Sequence, residues 1–431
     1  MCLSPEIKIN SRRAAFLAPE LESPPRNGMA VKCAAVLDAI RSDWRCHVIT
    51  SKGGPFHSGA TEAAEVFGHW YPKVDELTIL DLPVKSAPWR LWAVFKAALR
   101  LESPGATRYL DGHNGRILGG LLRDGSYAIV YCDLYFYLGC IPKRLFAKTL
   151  LSINDAHGLA FDLSAKAAPG LFGKAVFTLR SWYYDRFEEA TLRNVKAVHV
   201  VTQKDKDYLV ERHHLDNIHV IPLAIGTAYF EAVLPDYRLR RVLMHGNFDA
   251  DERRTFGIEF VKRAVVSGEF IDVEWVLLGR GSESLARKFP RTYHVEALEC
   301  VDDHASLLAS CPYGVYPERG GSGTKNRIVQ HMAVGACVIS TPEMLLGIPG
   351  AKSGQHLLVA SSADGLVDHL AGALRHPGNS SQIAVAGRAL CMEEFSSSVI
   401  YRQWRDLFAL VGGEDQGHPE SLRCRAALRV A

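Results

Sequence analysis

The sequence predicts an α/β protein made of two successive parallel-sheet units that face each other across a cleft. Three observations carry that expectation. The 431 residues exceed what one ordinary core encloses and suit two domains. Strand, loop and helix patterns alternate from the first apolar run onward, and strand–crossover–strand units build parallel sheets. The alternation starts afresh near Arg241, and its second set contains a glycine-rich turn between a strand and an amphipathic helix.

Bulk properties narrow the function. Hydrophobic residues make up 48% and charged residues 23% of the chain, an ordinary globular balance. A net charge of +3 is too mild to indicate nucleic acid. No basic run interleaves with aromatics either, so no nucleic-acid partner is expected. None of the ten cysteines forms a C-x-x-C pair, so no zinc site is expected. Several sit inside apolar runs, as free thiols do in a reducing compartment. The start, MCLSPEIKINSRR, lacks the apolar stretch of a secretory leader, and no apolar run reaches the length of a membrane span. A cytoplasmic protein is expected.

In the first unit, Ala14–Ala18 is an apolar strand candidate, followed by the proline-rich loop PELESPPRNG, a helix over Met29–Ile40 and a strand over Cys46–Thr50. Arg26, Asn27 and Gly28 close that loop beside the helix N-terminus. It lies at the carboxyl edge of the sheet, where open α/β sheets bind ligands; by residue type alone it reads as a surface loop. Leu77–Leu80, Tyr127–Tyr131, Thr149–Ile153 and Ala197–Thr202 are further strands. Trp89–Leu101 (WRLWAVFKAALRL) is a tryptophan-rich basic helix suited to a peripheral membrane contact, or to packing with its basic stems snorkelling. Thr149–Ile153 runs into NDAHG, which sets Asp155 and His157 at a strand's end. Val176–Arg193 is an amphipathic helix.

The second unit opens with Arg241–Gly246, followed by Arg253 and Arg254. Strands over Val273–Leu278 and Val295–Cys300 and a helix over Asp303–Ser310 lead to YGVYPERGGSGTKNRIVQHMAVGACVIST, residues 313–341. Ile328, Val329, Met332 and Ala333 share one helical face, and Gly335 falls where a left-handed C-cap belongs. The first turn of a helix leaves N–H groups unpartnered beneath a partial positive charge, and glycines ahead of it admit an anion. Gly321, Ser322, Gly323, Thr324 and Lys325 therefore form a candidate phosphate cradle. Glu318 and Gln330 flank it.

The stretch resembles the donor-site signature of retaining nucleotide-sugar glycosyltransferases of the GT-B fold, in the large group often called group 1 or family 4. The resemblance rests on Gly321 to Lys325, on Met332, Ala333 and Gly335, and on Thr341, Pro342, Gly347 and Ile348. It departs from the family at Ser322 and Gln330, where many members carry glutamates. The resemblance implies two Rossmann-like domains, with residues 1–232 binding the acceptor and residues 233–431 the nucleotide-sugar donor. A last helix near Val399–Leu410 would pack back on the first domain. It implies transfer of a sugar to an acceptor hydroxyl with retention. The donor is a nucleoside-diphosphate sugar, used as substrate with no further cofactor. The acceptor would be a glycan, a lipid-linked sugar or a small molecule, in glycan biosynthesis at or near the inner face of a membrane.

In that reading Arg253 and Arg254 add charge to the diphosphate. Glu318 accepts from sugar hydroxyls, Gln330 from the ribose, and the Arg26–Gly28 loop lines the cleft. Asp155 and His157 face the acceptor, with His157 preferred because it relays protons near neutral pH. No D-x-D motif stands at a strand end, so no metal is expected. Three alternatives stay open: a GT-B sugar-nucleotide epimerase, a non-catalytic nucleotide-binding protein favoured by Gln330, and a nicotinamide enzyme, disfavoured by Asn326 at the third glycine position.

Overall fold

The computed structural model describes residues 12–19, 21, 28–52, 74–82, 112–168, 170–249, 251–318, 325–345 and 347–413. Within them, seven strands form one all-parallel sheet: β1 (Arg13–Leu17), β2 (Arg45–Lys52), β3 (Glu76–Asp81), β4 (Tyr127–Asp133), β5 (Thr149–Asn154), β6 (Ala197–Val200) and β7 (Ile218–Val220). Their order is β3-β2-β1-β4-β5-β6-β7. Six more form a second parallel sheet: β8 (Arg241–His245), β9 (Glu274–Leu278), β10 (His294–Leu298), β11 (Tyr313–Tyr316), β12 (Cys337–Ser340) and β13 (Leu358–Val359), in the order β10-β9-β8-β11-β12-β13. The two sheets repeat one plan. Each starts in the middle, runs to one edge, returns and runs to the other.

The strands read as continuous apolar runs because helices cover both faces. All four residues of β6 and of β11 are buried. Phe16, Tyr131 and Ile129 pack on one face of the first sheet with Val36 and Ile40, while Leu17, Val130 and Leu151 pack on the other with Leu118 and Phe187. In the second sheet Trp275 is fully buried among Phe260, Phe270 and Phe289.

The last helix, Ser397–Gly412, belongs by packing to the first sheet. Trp404 and Phe408 meet the Tyr131 ring edge-on at 6.1 Å each, and Arg405 grips Asp43 through two bonds of 2.7 and 2.9 Å. It crosses over where Ile225, just past β7, bonds the Phe395 carbonyl at 2.8 Å and accepts from Ser397 Oγ at 3.0 Å.

Three elements differ from the sequence-based expectation. His157 opens a helix, His157–Ala167, instead of lying in a loop. The helix expected from Val176 starts at Leu171, directly after Gly170, whose extended backbone takes the N-cap position. A helix over Asp251–Ser267 had no expected counterpart: its charged start, DERR, masks the buried stripe of Phe256, Phe260, Val261 and Ala264. The Trp89–Leu101 segment lies outside the described residues.

Candidate functional site

In doubly wound sheets ligands gather beyond the carboxyl ends of the strands where the winding reverses. Those points fall between β1 and β4 in the first sheet, and between β8 and β11 in the second.

At the first point the site is a side-chain network. Lys32 lies on the buried face of the helix Gly28–Arg41, with Val36, Ala39 and Ile40, and is 3% exposed. Its ammonium donates to Asp133, the last residue of β4, to Ser152 Oγ at 2.9 Å and to Asn154 Oδ1 at 2.5 Å. Tyr131 donates to the same Asp133 carboxylate at 3.0 Å. Ser152 is in turn bonded to His199 Nδ1 at 2.9 Å, and the other ring nitrogen of His199 meets the Ile221 carbonyl at 2.8 Å. A buried cation is tolerable only with this density of partners.

The network anchors the end of β5 and the loop beyond it. Register slips between Ser152 and Asn154, and Asn154 takes a left-handed conformation with φ 63°. Such irregularities re-aim side chains at strand ends. Asp155 comes next, half-buried, with Oδ1 lacking a hydrogen-bond partner. Burial first, then the neighbouring Asp205 charge, pushes its carboxyl up to about 6, against the pull of Lys325 and Lys32. The influence of Lys325 is informative. It directly precedes the helix Asn326–Ala333, so the loop after β5 and the start of that helix lie within electrostatic reach of one another.

His157 is held differently. Its ring lies 5.2 Å from Tyr135 and 5.0 Å from Tyr184, and burial lowers its pKa to about 4. Burial thus disfavours its protonated form and makes it a weaker base than a free imidazole. The amides of His157 and Gly158 are taken by the buried Glu188 at 2.7 and 3.2 Å, so its carboxyl caps this helix N-terminus. Tyr135 donates to the same carboxylate at 2.9 Å, and burial still pushes Glu188 up to about 8. Among the described residues, Asp185, Glu188 and His213 bring potential ligand atoms within 4.8 Å of one another. Both acids, however, serve other donors: Tyr208 and Arg212 bond Asp185 at 2.6 and 3.2 Å.

At the second point backbone replaces side chains. Gly246 follows β8, and the loop after β9 presses against it. A Cβ on Gly279, at φ +118°, would come 2.1 Å from the Gly246 carbonyl oxygen. Glu318, two residues past β11, is buried and paired with Arg327 at 2.8 Å, while Arg327 also donates to the His245 carbonyl at 3.3 Å. Thr341 donates to the Glu318 carbonyl at 2.5 Å. Strand ends and helix start are thereby tied into one frame. Gln330 lies one turn beyond Arg327 on the helix Asn326–Ala333, half-buried. His331 is wholly internal, bonded to the Cys311 carbonyl at 2.8 Å and to Tyr316 at 3.1 Å. Gly335, φ 90°, ends the helical stretch.

Arg26, Asn27 and Gly321, Ser322, Gly323 and Thr324 lie outside the described residues. Gly28 opens the helix leading to Lys32. Arg253 and Arg254 stand in the first turn of Asp251–Ser267. Sequence reasoning missed Lys32, Asp133 and Arg327. Lys32 could have been found as a lone charge on the apolar face of MAVKCAAVL. Arg327 sits inside the motif itself, where it reads as one more polar position of an amphipathic helix.

Two parallel sheets wound alike, with their reversal points in electrostatic contact, define the GT-B class. Residues 240–376, which carry the second sheet, match the family model described as glycosyl transferases group 1. Sucrose-phosphate synthase from Thermosynechococcus elongatus superposes with a TM-score of 0.63 at 16% identity, over 92% of this chain and 99% of that one. Anabaena HepE in complex with UDP and glucose gives 0.57 at 11%, over 92% and 99%. A UDP-N-acetylglucosamine 2-epimerase gives 0.54 at 13%, over 95% and 99%. No curated protein matches in sequence. Among the described residues no helix is long and apolar enough to cross a membrane.

Proposed function

We propose that the chain transfers a sugar from a nucleoside-diphosphate sugar to an acceptor hydroxyl, with retention and without a metal. Residues 233–431 would hold the donor and residues 1–232 the acceptor. The observation that carries this reading is the coupling of Asp155 to Lys325. It brings a carboxyl whose Oδ1 has no hydrogen-bond partner within electrostatic reach of the cation that precedes the helix Asn326–Ala333.

The chemistry needs a stabilised leaving diphosphate and an oriented acceptor. Lys325 and the helix start at Asn326 supply positive potential for the first, with Arg253 and Arg254 on the neighbouring helix. The Glu318–Arg327 pair holds that frame in shape, and Gln330 is assigned to the ribose. Asp155, titrating near 6, is suited to accept a hydrogen bond or proton from the acceptor hydroxyl. HepE was crystallised with UDP and glucose, which supports UDP as the first nucleotide to test. The described cysteines are free thiols, in keeping with a reducing cytoplasm.

A thermal-shift screen against nucleoside diphosphates and their sugars tests the donor class, since a ligand of the native state must raise its melting temperature. Product anomers read by NMR test retention, and activity in EDTA tests metal independence. The reading fails if no nucleotide raises the melting temperature. The epimerase reading rests on the epimerase superposition. Conversion of a UDP-sugar to its epimer without any acceptor would establish it instead.

A further inference from the structure

The helix Leu171–Leu192 has two unlike halves. Its second half carries Ser181, Asp185, Phe187, Glu188 and Leu192 into the core, whereas its first ten residues bury none. That first half meets the helix His157–Ala167 through Phe177, which stacks on Phe161, and Tyr184 in the second half stacks on the same ring. On the side away from those contacts it exposes large apolar groups. Leu171 is 88%, Phe172 84%, Leu179 65% and Trp182 57% accessible, and Val176 is exposed as well. At about 100° per residue, these side chains span a continuous arc of roughly 140°. Lone exposed hydrophobes are ordinary, but an arc of this size on one element is a binding surface.

The charges around the arc identify the occupant. Lys174 flanks one side and Arg180 the other, and Arg186 continues the face toward the body, all exposed. The Arg180 guanidinium is steadied over the Phe161 ring at 4.7 Å. Between Leu171 and Tyr184 the sequence has no carboxylate; the first, Asp185, is buried and bonded to Tyr208 and Arg212. An apolar arc bordered by cations matches the surface of an anionic bilayer: the apolar groups enter the acyl boundary while the cations meet headgroup phosphates. A second copy of the chain fits poorly, because a two-fold contact would set Lys174, Arg180 and Arg186 against their own equivalents.

We infer that the N-terminal half of Leu171–Leu192 docks the protein on an anionic phospholipid surface. The inference does not depend on the donor reading. Both concern the same side of the first sheet, since the partner helix of this hairpin starts at His157, beside Asp155.

The test is co-sedimentation of the full chain with vesicles of phosphatidylcholine alone or mixed with phosphatidylglycerol. The wild type should partition onto the mixed vesicles, and salt should release it. Phe172→Ser with Leu179→Ser should lower partitioning by about tenfold or more. Lys174→Glu with Arg180→Glu should do the same and abolish the preference for anionic lipid. All four positions are solvent-exposed, so melting temperatures should stay at the wild-type value. Failure of the wild type to bind the mixed vesicles would overturn the inference, as would equal binding by both double variants. So would a dimer in light scattering that Phe172→Ser/Leu179→Ser converts to monomer, which would make the arc a self-association surface.

Discussion

The two reversal points occupy the same place in their sheets and are built from different material. Beyond β1 and β4 a buried lysine gathers Asp133, Ser152 and Asn154, and almost every polar atom has a side-chain partner. Beyond β8 and β11 glycines bring backbone against backbone, and the ion pair Glu318–Arg327 braces the frame. A backbone cradle suits a ligand common to many enzymes, such as a diphosphate, because it recognises charge and shape alone. A buried side-chain network acts as one unit, and here it fixes the end of β5 and with it the place of Asp155. On the proposed reading the second sheet holds the donor, and the first orients the acceptor through Asp155.

The largest expected effect breaks the side-chain half. Lys32→Met leaves Asp133 buried without its cation and should cost about 3–5 kcal/mol in denaturant unfolding. Lys32→Met combined with Asp133→Leu should recover most of that loss, as apolar replacement of a buried pair often does. The same two substitutions costing independently would show that the network is not a unit.

Next comes the backbone half. Gly279→Ala forces a Cβ into the Gly246 carbonyl at a left-handed φ and should cost about 3 kcal/mol by the same measurement. A change within error of zero would mean that the two loops slide apart freely.

A third expectation concerns pH and lies on the first sheet's side. Folding raises the Glu188 carboxyl from 4.5 to about 8, chiefly by burial. Between those values the folded chain keeps a proton that the unfolded chain releases, so this contribution is complete below about pH 4.5 and declines as pH rises toward 8. Melting temperature should fall over the upper part of that window, and Glu188→Gln should flatten the slope whatever its absolute cost. Asp155, raised from 3.8 to about 6, acts with the same sign over a lower window.

The smallest effect is at the strap between the last helix and the first sheet. Arg405 and Asp43 are well bonded but partly exposed, and Arg405→Ala should cost about 1 kcal/mol or less. Trp404, fully buried beside Tyr131 and His199, holds the crossing instead.

The contrast also explains what could be read in the sequence. The β-strands of both sheets are apolar runs bounded by turn residues, and nearly all were legible with ends shifted by a few residues. The candidate phosphate site was legible because its parts are consecutive: glycines, cation and helix lie within residues 321–333. The network of the first sheet is assembled from residues 32, 133, 152, 154 and 199, and no local pattern joins them. Asp155 and His157 were visible as a pair at a strand's end. Their difference was not, because it comes from Tyr135, Tyr184 and Glu188, which reach His157 only in the fold. The helix Asp251–Ser267 escaped for a local reason, its apolar stripe beginning a full turn after its charged start.

The most direct test of the division between the two points is calorimetric titration of UDP, and then of the other nucleoside diphosphates, into three proteins: wild type, Lys325→Ala and Asp155→Asn. The account expects a nucleotide that binds the wild type, binds about tenfold more weakly to Lys325→Ala at low salt, and binds Asp155→Asn at least as well as the wild type, since a carboxyl near the diphosphate has been neutralised. Sugar transfer by Asp155→Asn should meanwhile drop by about 10²-fold or more. The opposite pattern, with nucleotide affinity lost in Asp155→Asn and kept in Lys325→Ala, would place the donor on the first sheet and contradict the account.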